Sequence, residues 1–226
     1  MKLLCVSDTE SPVVYSHRLR ERFGSYDGVI SCGDLAYPYL EYIVSVLDRP
    51  LYYVNGNHDK VTPSALDETR EQPWGATNSH RRVIYNPKLD LLIAGIEGSL
   101  VYNHKPRQYS QLQMWLMIFE MIPKLLWNKV RYGRFLDIFI SHAPPAGIHD
   151  DSDYAHRGVN AFRWLDRWFS PQIHLHGHIH LYMPTQKREI QFHRTRIINA
   201  FDYIELEVEP SPKKARLRQV NAKKRN

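Results

Sequence analysis

Residues 28–34 read GVISCGD, a short apolar run that ends in a glycine and an aspartate. Similar apolar runs that lead to an aspartate occur at residues 3–8, LLCVSD, and at residues 51–59, LYYVNGNHD. Short apolar runs of this kind are typical of strands that are buried on both faces. Helix-like stretches at residues 14–23 and 37–47 separate the three runs, so the first part of the chain predicts a βαβαβ unit with right-handed crossovers.

Further apolar runs extend this pattern along the chain, at residues 91–96, 138–140 and 173–175. The turn signal at residues 86–87, Asn-Pro, predicts that residues 81–85 pair with residues 89–96. Near the end, residues 196–199 and 203–208 predict a closing hairpin. Strands and helices that alternate in this way indicate an α/β fold.

The formal charge of +6 is concentrated in the last residues of the chain. Residues 213–226 carry seven Lys and Arg side chains and no acid, which leaves 23 basic and 24 acidic residues elsewhere. We expect a single domain over residues 1–210, with an apolar fraction of 43% that is ordinary for a globular protein. Residues 211–226 form a basic tail, which is either a solvated, disordered C-terminus or a segment that attracts nucleic acid or anionic lipid.

Both cysteines, Cys5 and Cys32, lie inside apolar runs, where a thiol usually packs as a small apolar group. This use of cysteine favours a reducing compartment. Residues 1–8 begin like a signal peptide but reach polar and acidic side chains after too few apolar ones. We therefore expect a first strand there and a cytoplasmic protein.

Residues 105–134 differ from the rest of the chain, because Trp, Phe, Met, Leu and Ile are concentrated there among basic residues. Pro123 predicts two helices, since proline interrupts the interior of a helix. The segment is either a helical insertion that packs on the core or a lipid-facing or partner-binding element. The apolar run is shorter than the ~20 residues of a membrane span, so no transmembrane segment is expected.

Polar side chains follow several of the predicted strands: Asp8, Asp34, Asn57 and His142. Carboxylate, amide and imidazole groups that meet at a sheet edge form a ligand set for divalent metal ions. Two such ions about 3.5–4 Å apart hydrolyse phosphoesters by activating a bridging water and by neutralising charge on the phosphoryl oxygens. Asp34 is the natural bridge between the ions, because it follows a strand directly after Gly33.

The motifs Gly33-Asp34, residues 56–59 (GNHD), His142 and residues 177–180 (GHIH) resemble, in this order, those of the calcineurin-like metallophosphoesterases. The resemblance spans about residues 3–180. It implies a four-layer αββα sandwich of two mixed sheets flanked by helices. It also implies a hydrolase in which a hydroxide that bridges two metal ions attacks phosphorus.

The resemblance assigns a role to each matching residue. Asp8, Asp34 and His180 would hold one ion. Asp34 would share the other ion with a second group of ligands: Asn57, His142 and His178. His58 would stabilise the phosphoryl oxygens or protonate the leaving group, so that His58 and Asp34 carry the chemistry.

Glu10 departs from the family pattern, which has histidine at this position. Because residues two apart share a strand face, Glu10 can join Asp8 at the metal. An oxygen-rich site favours Mn²⁺, with Fe²⁺ or Mg²⁺ as alternatives and Zn²⁺ disfavoured. If Glu10 instead points away, that ion site is weak or empty, and the chain is a catalytically impaired binding or scaffold protein on the same fold.

Residues 141–145, SHAPP, followed by His149, Asp150 and Gly158, resemble a subgroup related to cyclic-nucleotide phosphodiesterases and metallophosphoesterase-domain proteins. The subgroup implies a phosphorylated small-molecule substrate, with a lean towards phosphodiesters such as nucleotides. His149 and Asp150 are candidate substrate-binding residues, although an acidic loop here needs no function. The basic tail keeps a nuclease as a further alternative.

Overall fold

The structure of the protein is a computed structural model that describes residues 1–59, 72–183 and 185–209. Within these ranges the elements are, in chain order, β1 (Lys2–Ser7), α1 (Leu19–Phe23), β2 (Gly28–Ser31), α2 (Tyr37–Leu47), β3 (Leu51–Tyr53), β4 (Ala76–Asn78), β5 (Arg82–Asn86), β6 (Leu91–Ile96), β7 (Ser99–Leu100), β8 (Gln108–Tyr109), α3 (Gln111–Tyr132), β9 (Ile138–Ser141), α4 (Asn160–Phe169), β10 (Ile173–His176), β11 (Glu189–Phe192), β12 (Thr195–Asn199) and β13 (Asp202–Glu207). Each of the six apolar runs predicted as strands is confirmed. Within residues 3–8, 28–34 and 51–59 the apolar parts, residues 3–6, 28–31 and 51–54, match the strands to within one residue at each end, as do the other three runs.

Two mixed sheets form the centre of the molecule. The first has the strand order β13-β1-β2-β3-β4, in which β13 runs antiparallel to β1 and the other pairs are parallel. The second has the order β11-β12-β10-β9-β6-β5, with parallel central strands and antiparallel edges. The antiparallel pairing of β5 with β6 confirms the turn that residues 86–87 predict.

Helices cover the outer face of each sheet, and the inner faces pack against each other. In β1, Leu3 and Cys5 lie in the core between the sheets, whereas Leu4 and Val6 pack against α1 and α2. This alternation follows from the two-residue period of a strand. In β9, Phe139 packs against α3 and α4 on the other outer face. The layers are therefore helix, sheet, sheet, helix, and the predicted αββα sandwich is confirmed.

The predicted closing hairpin is wrong. β12 pairs with β10 and β11 in the second sheet, whereas β13 pairs with β1 in the first sheet. The chain crosses between the sheets at Ala200 and Phe201, and Asp202 enters β13 with a φ of 65°. Both segments are strands as predicted, but their partners are distant along the chain, so local apolar alternation did not reveal the pairing.

The first predicted helix is shorter than expected, whereas α2 has the predicted bounds. Residues 14–18 form turns, and α1 begins at Leu19. The backbone N–H of Val14 donates to Ser11 at 3.0 Å, and that of Ser16 donates to Val14 at 2.9 Å. These short-range bonds replace the regular hydrogen bonding of a helix.

Helix α3 runs unbroken through Pro123, so the predicted split into two helices is wrong. Ser110 and Gln113 form a capping box at its start, and Gly133 ends it with a φ of 77°. A proline inside a helix costs about 3 kcal/mol. Met121 and Leu125, buried on either side of Pro123, each contribute roughly 1.5–3 kcal/mol, which offsets that cost and keeps the helix continuous.

Both cysteines pack in the core, as expected: Cys5 and Cys32 are buried free thiols. Among the described residues, no helix combines the length and the apolar character that a membrane span needs. The basic tail lies outside the described residues, and the domain limits and the cytoplasmic location remain predictions.

Candidate metal centre

The predicted ligands follow the carboxyl ends of parallel strands from both sheets. Asp8 follows β1, Asp34 follows β2, and Asn57 follows β3 in the first sheet. His142 follows β9 and His178 follows β10 in the second sheet. Parallel strands present their carboxyl ends at one edge, so this topology brings side chains from across the chain to a common rim.

Three donor groups form a tight cluster at this rim. One oxygen each of Asp8 and Asp34 and one nitrogen of His142 all lie within 4.8 Å of one another. His142 Nε2 is 3.4 Å from Asp34 Oδ2 and 2.9 Å from Asn57 Oδ1. His142 Nδ1 is 2.8 Å from the carbonyl oxygen of Cys32. A hydrogen bond from Nδ1–H to that carbonyl aims Nε2 at the carboxylate and the amide, as in many metal-binding histidines.

The carboxylates of Asp8 and Asp34 give this cluster a negative potential, which favours a positive charge there. Burial acts to lower the pKa of His142, but the carboxylates of Asp34 and Asp8 outweigh it and raise that pKa to about 9. Burial also acts to raise the pKa of Asp34, yet His142 holds it well below the usual range. Two buried carboxylates, an imidazole and an amide are hard and borderline donors, and they fit a divalent ion such as Mn²⁺, Fe²⁺, Mg²⁺ or Zn²⁺.

Glycines in the motifs let the backbone approach the carboxylates closely. A Cβ atom on Gly56 would lie 1.9 Å from Asp34 Oδ1. A Cβ atom on Gly177 would lie 2.0 Å from Ser7 Oγ and 2.6 Å from Asp8 Oδ2. Any larger residue would therefore displace a carboxylate, which explains physically why glycine precedes the predicted ligands Asn57 and His178.

Backbone amides hold both carboxylates in place. The N–H of His58 donates to Asp34 Oδ1 at 2.7 Å, and the N–H of His178 donates to Asp8 Oδ1 at 2.9 Å. Asp8, Asp34 and His178 have φ angles of 64°, 56° and 68°. This left-handed region is uncommon for residues other than glycine, and such strain concentrates at functional sites.

His178 and His180 lie beside the cluster. The ring of His178 is centred 4.9 Å from that of His142, and its Nε2 is 2.8 Å from the carbonyl oxygen of Ala155. Burial, followed by the charge of His142, lowers the pKa of His178 to about 3, so its imidazole is neutral, the form that binds metals. His180 Nε2 is 3.9 Å from Asp8 Oδ1, and its Nδ1 is 2.6 Å from Tyr182 Oη.

Other predicted site residues lie outside the cluster. Glu10 is exposed. Asp150 accepts a hydrogen bond from the backbone N–H of Gly158 at 3.1 Å, and His149 Nδ1 is 2.8 Å from His176 Nε2. The metal-binding role of Glu10 and the substrate-binding roles of His149 and Asp150 stay predictions.

Tyr102 is a residue of the site that the sequence did not indicate. Its hydroxyl accepts a hydrogen bond from Asn57 Nδ2 at 3.0 Å and lies 3.2 Å from His58 Nε2. Tyr102 thus links a predicted ligand to the predicted catalytic histidine. It follows β7 in a segment without a strand or helix pattern, so no local signal could have identified it.

A cavity of about 740 Å³ opens next to Asn57 and His58. Its wall also carries three groups that the prediction of the ligands did not include: His80, Lys105 and Arg107. The guanidinium of Arg107 is fixed, because Nη1 donates to the carbonyl of Asp59 at 3.0 Å. Two acids, Asp59 and Glu97, line the cavity as well. The predicted catalytic residue therefore faces a polar cavity of ligand size that carries both basic and acidic groups.

Comparison with known proteins identifies the family. The model of the calcineurin-like phosphoesterase family matches residues 1–182. No curated protein sequence matches the chain significantly.

Among solved structures, TT1561 of Thermus thermophilus is 15% identical, with a TM-score of 0.56 over 89% of each chain. GAP50, the anchor in the inner membrane complex of Plasmodium, is 14% identical, with a TM-score of 0.51 over 88% of this chain and 70% of that one. At these identities both likenesses concern the fold alone. Because the family model covers most of the sequence, the chain belongs to the calcineurin-like phosphoesterases, a family of hydrolases that generally bind divalent metal ions.

Proposed function

We propose that this phosphoesterase uses two divalent metal ions and prefers phosphodiesters of small molecules such as nucleotides. The main support for two ions is the position of Asp34. Its Oδ2 faces His142 Nε2 at 3.4 Å, and donor atoms of both residues lie within 4.8 Å of one from Asp8. A carboxylate between two sets of donors is suited to bridge two ions.

The ligands divide into two sides that share Asp34. The His142 side comprises Asn57, His142 and His178, and the Asp8 side comprises Asp8, Glu10 and His180. Mn²⁺ is the proposed metal because carboxylates predominate on the Asp8 side, where Asp34 and Glu10 join Asp8; Fe²⁺ or Mg²⁺ are alternatives. When bound, the ions supply an activated water and neutralise the charge of the phosphoryl group.

Residues of the chain orient the substrate at this centre. His58 lines the 740 Å³ cavity, where its imidazole can hydrogen-bond to a phosphoryl oxygen or protonate the leaving group. Tyr102 holds His58 and Asn57 relative to each other. Lys105 and Arg107 line the cavity together with Asp59 and Glu97, and the two basic side chains are the groups of this wall that could contact an anionic substrate.

The cavity volume is in the range of sites for small molecules and supports a substrate of nucleotide size. The preference for diesters rests on the likeness of the segment around His142 to the phosphodiesterase-related subgroup. The nuclease alternative rests on the basic tail, which lies outside the described residues.

Hydrolysis of bis(p-nitrophenyl) phosphate and of p-nitrophenyl phosphate, each measured with Mn²⁺, Fe²⁺, Mg²⁺ and Zn²⁺, tests the proposal. We expect Mn²⁺-dependent turnover and a higher kcat/KM for the diester. A higher value for the monoester would remove the diester preference, and no turnover of either ester with any of the metals would contradict the proposed catalysis.

One observation favours a second candidate, a binding protein with an impaired site. Glu10 is exposed and lies outside the cluster of donor atoms. Metal analysis of protein purified without chelator separates the two candidates. The enzyme should hold about two equivalents, whereas the impaired protein should hold much less.

A further inference from the structure

Helix α3 is apolar on two opposite faces. One face is buried on the second sheet and carries Met114, Met117, Ile118, Met121, Leu125 and Asn128. The opposite face is exposed and carries a row that we call the outer stripe: Leu112, Leu116, Phe119, Pro123, Leu126, Trp127 and Val130. Apart from the adjacent pair Leu126 and Trp127, successive members are three or four residues apart, so they lie along one side of the helix over roughly 27 Å.

The outer stripe is a concentration of exposed apolar surface. Its large apolar side chains other than proline are between 46% and 80% exposed. In the described part of the chain, thirteen large apolar residues are exposed, and six of them lie on α3. Single exposed apolar residues are normal, but a contiguous row on one helix marks a binding surface.

Helix α4 extends this surface with aromatic and basic side chains. The ring of Trp164 is centred 5.9 Å from Phe119 of the outer stripe, and Trp168 is 62% exposed. Arg163 and Arg167 are exposed and line a cavity of about 470 Å³ together with both tryptophans. Tryptophan and arginine side by side are typical of protein surfaces at the boundary between lipid chains and headgroups.

The charged side chains of α3 and α4 indicate the chemistry of the surface that they would bind. The two helices carry five basic residues: Lys124, Lys129, Arg131, Arg163 and Arg167. They carry two acids, Glu120, which pairs with Arg81 at 2.8 Å, and Asp166, which is buried against His174 at 2.8 Å. A second copy of this surface would bring like charges together, whereas an anionic lipid surface complements them.

We propose that α3 and α4 dock on the surface of an anionic lipid bilayer. The outer stripe enters the boundary between headgroups and acyl chains, with α3 parallel to the membrane plane. Arg163, Arg167 and the lysines of α3 contact lipid phosphates. This docking is independent of the reaction at the metal centre, because the residues involved lie on the outer face of the second sheet.

Co-sedimentation with vesicles tests the proposal. The full chain is mixed with vesicles of phosphatidylcholine and phosphatidylserine, or of phosphatidylcholine alone. We expect binding to the anionic vesicles, and a loss of about tenfold or more in the variant Leu116→Glu/Leu126→Glu. The variant Arg163→Glu/Arg167→Glu should also bind more weakly and with a smaller dependence on salt.

Trp74→Glu is the matched control, because Trp74 is 69% exposed beside α2 on the opposite helical layer. It should bind as the unchanged chain does. The basic tail is common to all variants, so it cannot produce a difference between them. Hydrolysis of bis(p-nitrophenyl) phosphate and circular dichroism confirm that each variant is folded.

Any of three results would overturn the proposal. The first is no binding of the unchanged chain to anionic vesicles, and the second is equal binding of Leu116→Glu/Leu126→Glu. The third is a dimer of the unchanged chain, seen by light scattering, that Leu116→Glu/Leu126→Glu converts to a monomer, since that would assign the outer stripe to a second copy.

Discussion

The two sides of the proposed metal centre differ in how firmly the fold holds their predicted ligands. On the His142 side, the imidazole is fully buried and bonded at both nitrogens, to Cys32 and to Asn57. On the Asp8 side, Asp8 is buried, but the side chain of His180 is 43% exposed and Glu10 is exposed. Burial and hydrogen bonding therefore preorganise one side, whereas the other remains open to solvent.

For the two ions that we propose, this difference predicts unequal binding strength. Ligands that are already fixed lose little conformational entropy when an ion binds, whereas exposed side chains must first be ordered. We expect the ion on the His142 side to be held more tightly than the ion on the Asp8 side.

The largest effect should follow from removing the residue that both sides share. In Asp34→Asn we expect loss of both equivalents of metal and turnover below about 0.1% of the unchanged chain, because the bridging carboxylate is lost. Metal content by mass spectrometry and turnover of the diester measure these effects. Asp151→Asn is the control, since Asp151 is exposed, and it should behave as the unchanged chain. Full activity of Asp34→Asn would refute the assignment of two metal ions.

A change outside both sides should separate catalysis from metal binding. His58→Ala should keep both equivalents of metal and lose roughly 10²–10⁴-fold in kcat, if His58 acts on the phosphoryl group or the leaving group. His17→Ala, a change to another exposed histidine, serves as the control. An unchanged kcat in His58→Ala would remove His58 from the chemistry.

A change on the open side should weaken one ion only. In His180→Ala we expect at least about a tenfold loss of affinity for one equivalent, while the other equivalent stays bound. Titration with a chelator, followed by metal analysis, resolves the two steps. If both equivalents of metal dissociated at the same chelator concentration, the two sides would bind their ions equally strongly, and the proposed difference between them would be wrong.

The smallest effect is expected from Glu10→Gln. Because Glu10 is exposed, its loss should lower the affinity of the weaker ion by less than about tenfold. The measurement is the same chelator titration, with the more tightly bound ion as the internal control. No change in either affinity would show that Glu10 is not a ligand.

The sequence predicted the strands well because they depend on local patterns, and three of the predicted donors, Asp8, Asp34 and His142, come together in the structure. Asp8 and Asp34 directly follow apolar runs, and apolar runs of this length form strands buried on both faces. Tyr102 was missed because it follows β7, which has two residues and pairs with the equally short β8. Strands so short have no recognisable period.

Pro123 shows how packing outweighs local preference. The residue predicts a break, yet α3 continues because its buried face is apolar before and after the proline. The exposed face of α3, which carries the outer stripe, could be recognised only in the structure, because the structure shows which residues of α3 are buried and which are exposed.

The sequence by itself determined the order of the elements and the type of chemistry, because apolar alternation and the glycine-containing motifs act over a few residues. Only the tertiary structure decided which segments meet. Nε2 of His142 and Oδ1 of Asn57 are 2.9 Å apart although the residues are 85 positions apart in the chain. Between β12 and β13 the chain passes from the second sheet to the first. Such contacts depend on how two complete sheets pack, and no short stretch of the chain encodes that packing.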